Sequence, residues 1–368
     1  MKIGIVCNSF KNDGGMETYT LQLVEALLPY LESKPVILTK KIDPEQKLLN
    51  NVSSIKINVA WLPRILKDLY FSWKVKKLKK QLGIDILIGC CRCSASDIVM
   101  CGGTHKGFVL SKGRRTLYDR VIEKIETSQN NSAKFIVAHS KLMKDELIRL
   151  YGVPSGKISV LYPPVSYAKF HPVSNDEKEK LRKKLGLSSE KLYFLFVSSS
   201  HKRKGLDLLA QYFSETNLPV TLLVVGKKVD RSIKNVEYFG YSNNIEELYQ
   251  AADFSILASN YEPFGLAAVE SVASGTPIVA SNKLGSNEII ENNFKYVFEA
   301  GSIESLRTQI ELAIKNSSPL TKGRDNKTKF NYDLSVHYHV SKVLEIINSI
   351  HSKKGQNQDT ELPHREVK

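Results

Sequence analysis

Short runs of β-branched and apolar residues alternate with helix-period segments along nearly the whole chain, and this alternation limits the fold more than any other feature. It is the pattern of parallel sheets wound by helices, because consecutive parallel strands need a crossover between them. In the first half Ile3–Cys7, Val36–Thr39, Ile55–Ile57, Ile84–Ile88, Phe135–Ala138 and Ile158–Leu161 read as strands. Helices are expected there near Gly15–Leu31, Leu66–Leu82, Leu117–Thr127 and Lys141–Tyr151. In the second half the expected strands are Tyr193–Ser198, Val220–Val225, Val236–Phe239, Phe254–Ala258 and Pro277–Ala280. They interleave with helices near Gly205–Phe213, Ile245–Ala251, Gly265–Ala273 and Ser302–Lys315.

At 368 residues the chain has room for two domains, each with its own core. Tyr162-Pro-Pro-Val-Ser166 halts regular structure between the halves, since proline lacks a backbone donor and restricts the residue before it. The expected organisation is α/β: two Rossmann-like, doubly wound parallel-sheet domains, 1–165 and 166–334, facing a cleft at the carboxyl ends of their strands. An amphipathic helix over 335–351 is expected to return to the first domain, and the polar stretch 352–368 to be unstructured.

No apolar run approaches the roughly 18 residues that span a bilayer, and Met1–Asn8 lacks the apolar segment of a signal peptide. Five cysteines (Cys7, Cys90, Cys91, Cys93, Cys101) suit a reducing compartment better than a disulfide scaffold. The Cys90–Cys93 cluster has no second Cys-x-x-Cys to pair with, so small buried thiols at a strand end account for it better than zinc. The expected location is the cytoplasm.

Three loops at strand ends carry chemistry-bearing residues. The first, Asn8–Glu17, holds Gly14 and Gly15 directly before a helix, where glycine allows close backbone approach and free amides attract an anion. It is not the G-x-G-x-x-G fingerprint, and a Gly-Gly pair at such a point is equally consistent with an ordinary tight turn. The second, Ser198–Asp207, brings Arg203 and Lys204 just ahead of Gly205 and a helix. Two cations and a helix start converging there favour phosphate over a merely solvated charge run.

The third loop is Tyr261-Glu-Pro-Phe-Gly-Leu-Ala-Ala-Val-Glu270 and its continuation Ser271–Pro277. Glu262 precedes a proline, Gly265 opens a helix, and Glu270 follows the first acid by eight residues. An ionised carboxylate accepts two hydrogen bonds, so Glu270 suits a paired hydroxyl such as a ribose diol. Either acid alone would also serve simply to stabilise its helix.

The Glu-(seven residues)-Glu spacing with an internal Pro-Phe-Gly-Leu, followed by Glu-Ser-Val-Ala-Ser-Gly-Thr-Pro-Ile-Val, resembles the signature of the retaining family 4 glycosyltransferases of two-domain GT-B fold. The Gly14-Gly15 loop, Val137–Ser140, Leu161–Pro164, Arg203–Gly205, Val224–Gly226 and Ala251–Asp253 occur in that family's order. The subgroup most resembled is the glucosyltransferase of the lipopolysaccharide core. The resemblance implies that Glu270 holds the donor ribose, and that Glu262 with the Phe264, Gly265 and Leu266 backbone holds the transferred sugar. It gives the diphosphate to Arg203 and Lys204, assisted by the Gly14-Gly15 amides. It sets Gly240-Tyr241 where the nucleobase binds, with Tyr241 stacking on it. In Val99–Gly107 the Asp of the lipopolysaccharide-core relative is replaced by Gly, and His105 becomes the candidate contact to the donor sugar.

The implied activity is hexosyl transfer from a nucleotide sugar, UDP-linked by family habit, to a lipid-linked glycan or polysaccharide. No cofactor is expected: the nucleotide sugar is a substrate, and with no Asp-x-Asp in the chain Arg203 and Lys204 take the place of a metal. A phosphorylase or an epimerase on the same fold is the alternative.

The net charge of +15 concentrates in segments 61–80 and 106–120, where Lys and Arg mix with Trp, Tyr, Phe and Leu. That mixture suits an anionic membrane surface, which would make the protein peripheral on the cytoplasmic face of the inner membrane. For 61–80 an amphipathic helix packing its apolar stripe on the sheet accounts for the pattern equally well. Nucleic acid is not expected as a partner, because no recognised module or aromatic stacking platform is present.

Overall fold

The structure, a computed structural model, describes residues 1–12, 14–229, 232–316 and 329–359, the last seven of these as backbone alone. The chain divides into two compact units: Met1–Pro164 together with the chain from Val336 onward, and Val165–Ser335.

The first unit carries seven strands: β1 (Ile3–Phe10), β2 (Val36–Ile42), β3 (Ser53–Lys56), β4 (Ile86–Gly89), β5 (Ile98–Cys101), β6 (Phe135–Ala138) and β7 (Ile158–Val160). They form a sheet of order β3-β2-β1-β4-β5-β6-β7 in which every pairing is parallel. The second unit carries β8 (Leu192–Ser198), β9 (Val220–Gly226), β10 (Val236–Gly240), β11 (Phe254–Leu257), β12 (Ile278–Ser281) and β13 (Lys295–Phe298). Their order, β10-β9-β8-β11-β12-β13, reverses direction beside β8, which sets a topological switch point at the β8 and β11 carboxyl ends. Helices cover both faces of such sheets, so the central strands are nearly continuous apolar runs: Phe194, Phe196, Leu222, Val224, Phe254 and Ile256 are all buried.

The C-terminal helix, Val336–Asp359, belongs to the first unit. His339 Nδ1 lies 3.0 Å from the Tyr162 carbonyl oxygen, which can only accept; Nδ1 therefore carries the proton and Nε2 accepts from the Tyr19 hydroxyl at 2.9 Å. Burial lowers the His339 pKa to about 4, so the ring is neutral at pH 7 and this tautomer holds the helix in place.

Several boundaries differ from expectation. The first helix ends at Leu27, with Pro29 in the 3-10 turn that follows. Strands β5 and β13 and the helices His105–Lys112 and Asn175–Leu185 were not expected. The last of these buries only Arg182, so it shows no apolar period to read. Residues 352–359 continue the C-terminal helix where an unstructured tail was expected; 360–368 lie outside the described residues.

Candidate active site

The second unit assembles its site at the carboxyl ends of β8 and β11. Strand β8 stops at Ser198, and a single helical turn, His201–Lys204, carries Arg203 and Lys204 before the Leu206–Glu215 helix begins. Gly205 joins the two with φ +79°, and a Cβ there would overlap the Ala258 carbonyl just beyond β11. Only glycine lets the cationic turn lie this close to the neighbouring strand end.

Beyond Ala258, the 259–265 loop is fixed by backbone bonds to a second loop. Glu262 N donates to the Lys283 carbonyl at 3.1 Å, Gly285 N to the Glu262 carbonyl at 3.1 Å, and Ser286 N to the Phe264 carbonyl at 2.8 Å. Gly265 (φ +91°) then opens the Leu266–Ala273 helix, whose first amides have no intrahelical partner. Phe264 is buried. Arg203, Glu262, Phe264, Gly265 and Leu266 are thus presented by two adjoining loops.

The two loops meet in an ion pair. Arg203 Nη1 donates to Glu262 Oε2 at 2.6 Å, with the arginine side chain 35% and the glutamate 15% exposed. The Ser259 hydroxyl adds a longer contact to the same oxygen at 3.4 Å. Lys204 Nζ donates to the Val197 carbonyl at 2.9 Å, leaving further donor capacity on the ammonium. Burial pushes the Lys204 pKa down, while Glu262 and Glu270 act to raise it. Glu270 is itself raised to about 6 by burial, against the opposing fields of Lys169 and Lys204, and Tyr249 donates to its Oε2 at 3.5 Å. Two cations, a poised carboxylate and free helix amides on one strand-end surface can hold a phosphorylated diol.

Tyr241 is 78% exposed just after β10 and shares no hydrogen bond or ring contact with the other candidates among the described residues. Gly14, Gly15 and His105 lie in the first unit. Gly14 precedes the Gly15–Leu27 helix. His105 begins the helix after β5 and is buried, its Nε2 3.0 Å from Asp119 Oδ1 and its backbone N donating to Glu126 at 2.7 Å.

Sequence reasoning did not single out the residues that organise the first unit's strand ends. Glu126 is buried and accepts from Arg92 Nε at 3.0 Å and from the Tyr151 hydroxyl. With Asn8, Gly102 and Gly103, Arg92 and Glu126 line a cavity of about 210 Å³. The signal available was Arg92 itself, a cation set between Cys91 and Cys93 in the cysteine cluster. Burial pushes the Cys7, Cys90 and Cys101 thiols up to about 12, and no group of three or more His, Cys, Asp or Glu among the described residues is placed to hold a metal. Ala251-Ala-Asp253 is structural: Asp253 accepts from Arg182 at 2.6 Å and from Tyr193 N at 2.8 Å, tying β8 to β11.

Segment 61–80 splits its apolar residues between two faces. Phe71 and Val75 are buried, whereas Trp61, Leu66, Leu69 and Trp73 are 67%, 44%, 44% and 57% exposed. Leu110 and Leu117 of segment 106–120 are likewise exposed. No helix of the described residues is long and apolar enough to cross a membrane.

Two family models match the chain, "Glycosyltransferase Family 4" over residues 13–169 and "Glycosyl transferases group 1" over 177–330. A protein of Burkholderia thailandensis described as a probable transglycosylase is 38% identical over 351 residues, 94% of this chain and 96% of its own length. Lipopolysaccharide glucosyltransferase WaaG of Escherichia coli is 25% identical over 281 residues, 70% of this chain and 72% of its own. Among solved structures, Anabaena HepE in complex with UDP-glucose superimposes with a TM-score of 0.72 at 19% identity, covering 95% of this chain and 100% of that one. With both halves matched by glycosyltransferase models and a relative 38% identical along 94% of the chain, the chain belongs to the group 1, family 4-like glycosyltransferases of GT-B fold.

Proposed function

We propose that this enzyme is a retaining glycosyltransferase that moves a hexose from a UDP-linked donor to a lipid-linked glycan, in lipopolysaccharide core or other cell-envelope glycan synthesis. The observation that carries the reading is the Arg203–Glu262 pair, with Lys204 on the same turn and the carboxylate of Glu270 within its field. In the proposed reaction an acceptor hydroxyl attacks the anomeric carbon from the side of the leaving group. The bond from that carbon to the phosphate oxygen breaks with its electron pair passing to the diphosphate, and the hydroxyl proton moves to the same phosphate oxygen. Arg203, Lys204 and the Leu266 and Ala267 amides compensate the charge that develops, without a metal. Glu262 with the Phe264–Leu266 backbone faces the sugar, Glu270 takes the ribose diol, and Tyr241 stacks on the base. His105 remains the candidate sugar contact of the first unit.

The exposed Trp61, Leu66, Leu69 and Trp73 among lysines support a peripheral position on the cytoplasmic face of an anionic membrane. The name of the Burkholderia relative favours a second reading, transfer from a sugar-linked rather than a nucleotide-linked donor. Thermal stabilisation across a panel of nucleotide sugars separates the two, since a ligand at 100 times its dissociation constant adds about 2.7 kcal/mol. Stabilisation by UDP-hexoses, with transfer to a lipid acceptor that persists in EDTA, is expected. Absence of stabilisation by any nucleotide sugar would remove the reading.

A further inference from the structure

The first unit holds a second and larger cavity, of about 990 Å³, at the carboxyl ends of β1, β2 and β3. Its walls carry six cations, Lys40, Lys41, Lys56, Arg64, Lys67 and Arg92, against two carboxylates, Glu17 and Asp68. The pairing of these charges is uneven. Lys40 is ion-paired with Asp68 and Arg92 with Glu126, while Lys41, Lys56, Arg64 and Lys67 make no ion pair among the described residues.

The geometry keeps those four charges available. Asp68, the nearest acid on the helix that supplies Arg64 and Lys67, is turned onto Lys40 and also accepts from the Tyr118 hydroxyl at 3.4 Å. Arg64 lies with its guanidinium carbon 4.5 Å from the Tyr118 ring centroid, which holds the planar fork in one orientation. Four unneutralised cations around one concavity repel each other and concentrate anions. A ligand with two or more negative charges relieves that repulsion better than a neutral glycan. The volume suits a sugar-sized ligand. Asn8 and Arg92 also line the smaller cavity that contains Gly102 and Glu126, so an occupant here abuts the loops after β1 and β4.

We infer that this cavity is an acceptor subsite for a phosphate-bearing glycan, in which Lys41, Lys56, Arg64 and Lys67 hold a phosphate or diphosphate group. The inference rests on the glycosyl transfer proposed above, and it names the acceptor's chemical class.

The test uses the full chain with UDP present, inorganic pyrophosphate as the probe and calorimetry as the readout. It is run near physiological salt, where surface attraction beyond about 8 Å is screened. In the K56E/K67E variant the pyrophosphate dissociation constant is expected to rise by about tenfold or more, because two attractive charges become repulsive. UDP affinity, titrated separately, is expected to stay within about twofold, since neither lysine lies in the second unit. The milder K56Q/K67Q variant should lose pyrophosphate affinity in the same direction. Unchanged pyrophosphate affinity in both variants would overturn the subsite. So would a loss confined to vesicles containing phosphatidylglycerol, which would assign these charges to a bilayer surface. Failure of the wild type to bind UDP would sink the donor reading while leaving the variant's loss of pyrophosphate as support for the phosphate seat.

Discussion

Arg203 and Glu262, 59 residues apart in the chain, are held 2.6 Å apart, so the loop after β8 and the loop after β11 share one charge pair. The pair has two consequences: it keeps the guanidinium at the strand ends without a ligand, and it makes each loop dependent on the other. Removing either cation of the turn, by Arg203→Ala or Lys204→Ala, is expected to lower turnover by about 10²–10³-fold. Initial rates with the donor found by screening check this. Wild-type rates in both variants would remove the proposed mechanism.

Gly205→Ala should damage the same site through the backbone. The added Cβ meets the Ala258 carbonyl at a φ of +79°, whereas Gly186, at φ +71°, has open space around it. Calorimetry is expected to show Gly205→Ala destabilising the second unit by about 2 kcal/mol or more and Gly186→Ala by only about 1 kcal/mol. Equal melting temperatures for the two variants would contradict the close-approach account.

Glu270 gives the site a pH dependence whose sign is fixed. Its folded-state pKa, about 6, lies above the ordinary value of 4.5, so below 4.5 folding carries no penalty from this group and above 6 it carries the full one. Glu270→Gln should therefore raise stability by about 1–2 kcal/mol near pH 7.5 and leave it unchanged near pH 4. Donor affinity should behave oppositely: in the wild type it strengthens as pH rises through 6 and the carboxylate ionises, and in the variant the profile is flat. A flat wild-type profile would show that the ionised carboxylate does not bind the donor.

Much of this was legible in the sequence, for physical reasons. Central strands buried on both faces announce themselves as unbroken apolar runs, and β6 and the Lys141–Tyr151 helix match expectation to the residue. Strand β13 was hidden because Lys295 and Val297 alternate with buried neighbours over only four residues. The Asn175–Leu185 helix was hidden because almost nothing on it is apolar. At the site, the acids and cations could be named, but not their pairing. The support from Lys283, Gly285 and Ser286 is made by backbone atoms, which any sequence supplies. The cationic cavity draws its charges from β2, β3, the loop after β4 and the Arg64–Gln81 helix, so no single segment displays it.

The outward face of the Arg64–Gln81 helix predicts vesicle binding. Trp61, just ahead of that helix, and Trp73 on it are 67% and 57% exposed, and their rings lie 5.6 and 5.7 Å from the Tyr70 ring. Binding to vesicles containing anionic lipid should weaken as salt rises, at about 1 kcal/mol per cation engaged. Trp61→Ser with Trp73→Ser should reduce it at every salt concentration. Equal binding of the double variant and the wild type would show that this face does not meet lipid.

The most direct test of the central claim is a crystal structure with UDP bound. The account predicts the diphosphate within hydrogen-bond distance of the Arg203 guanidinium and the Lys204 ammonium, with the ribose hydroxyls on Glu270. A nucleotide seated elsewhere, with Arg203 still on Glu262 and no phosphate oxygen near Lys204, would contradict it.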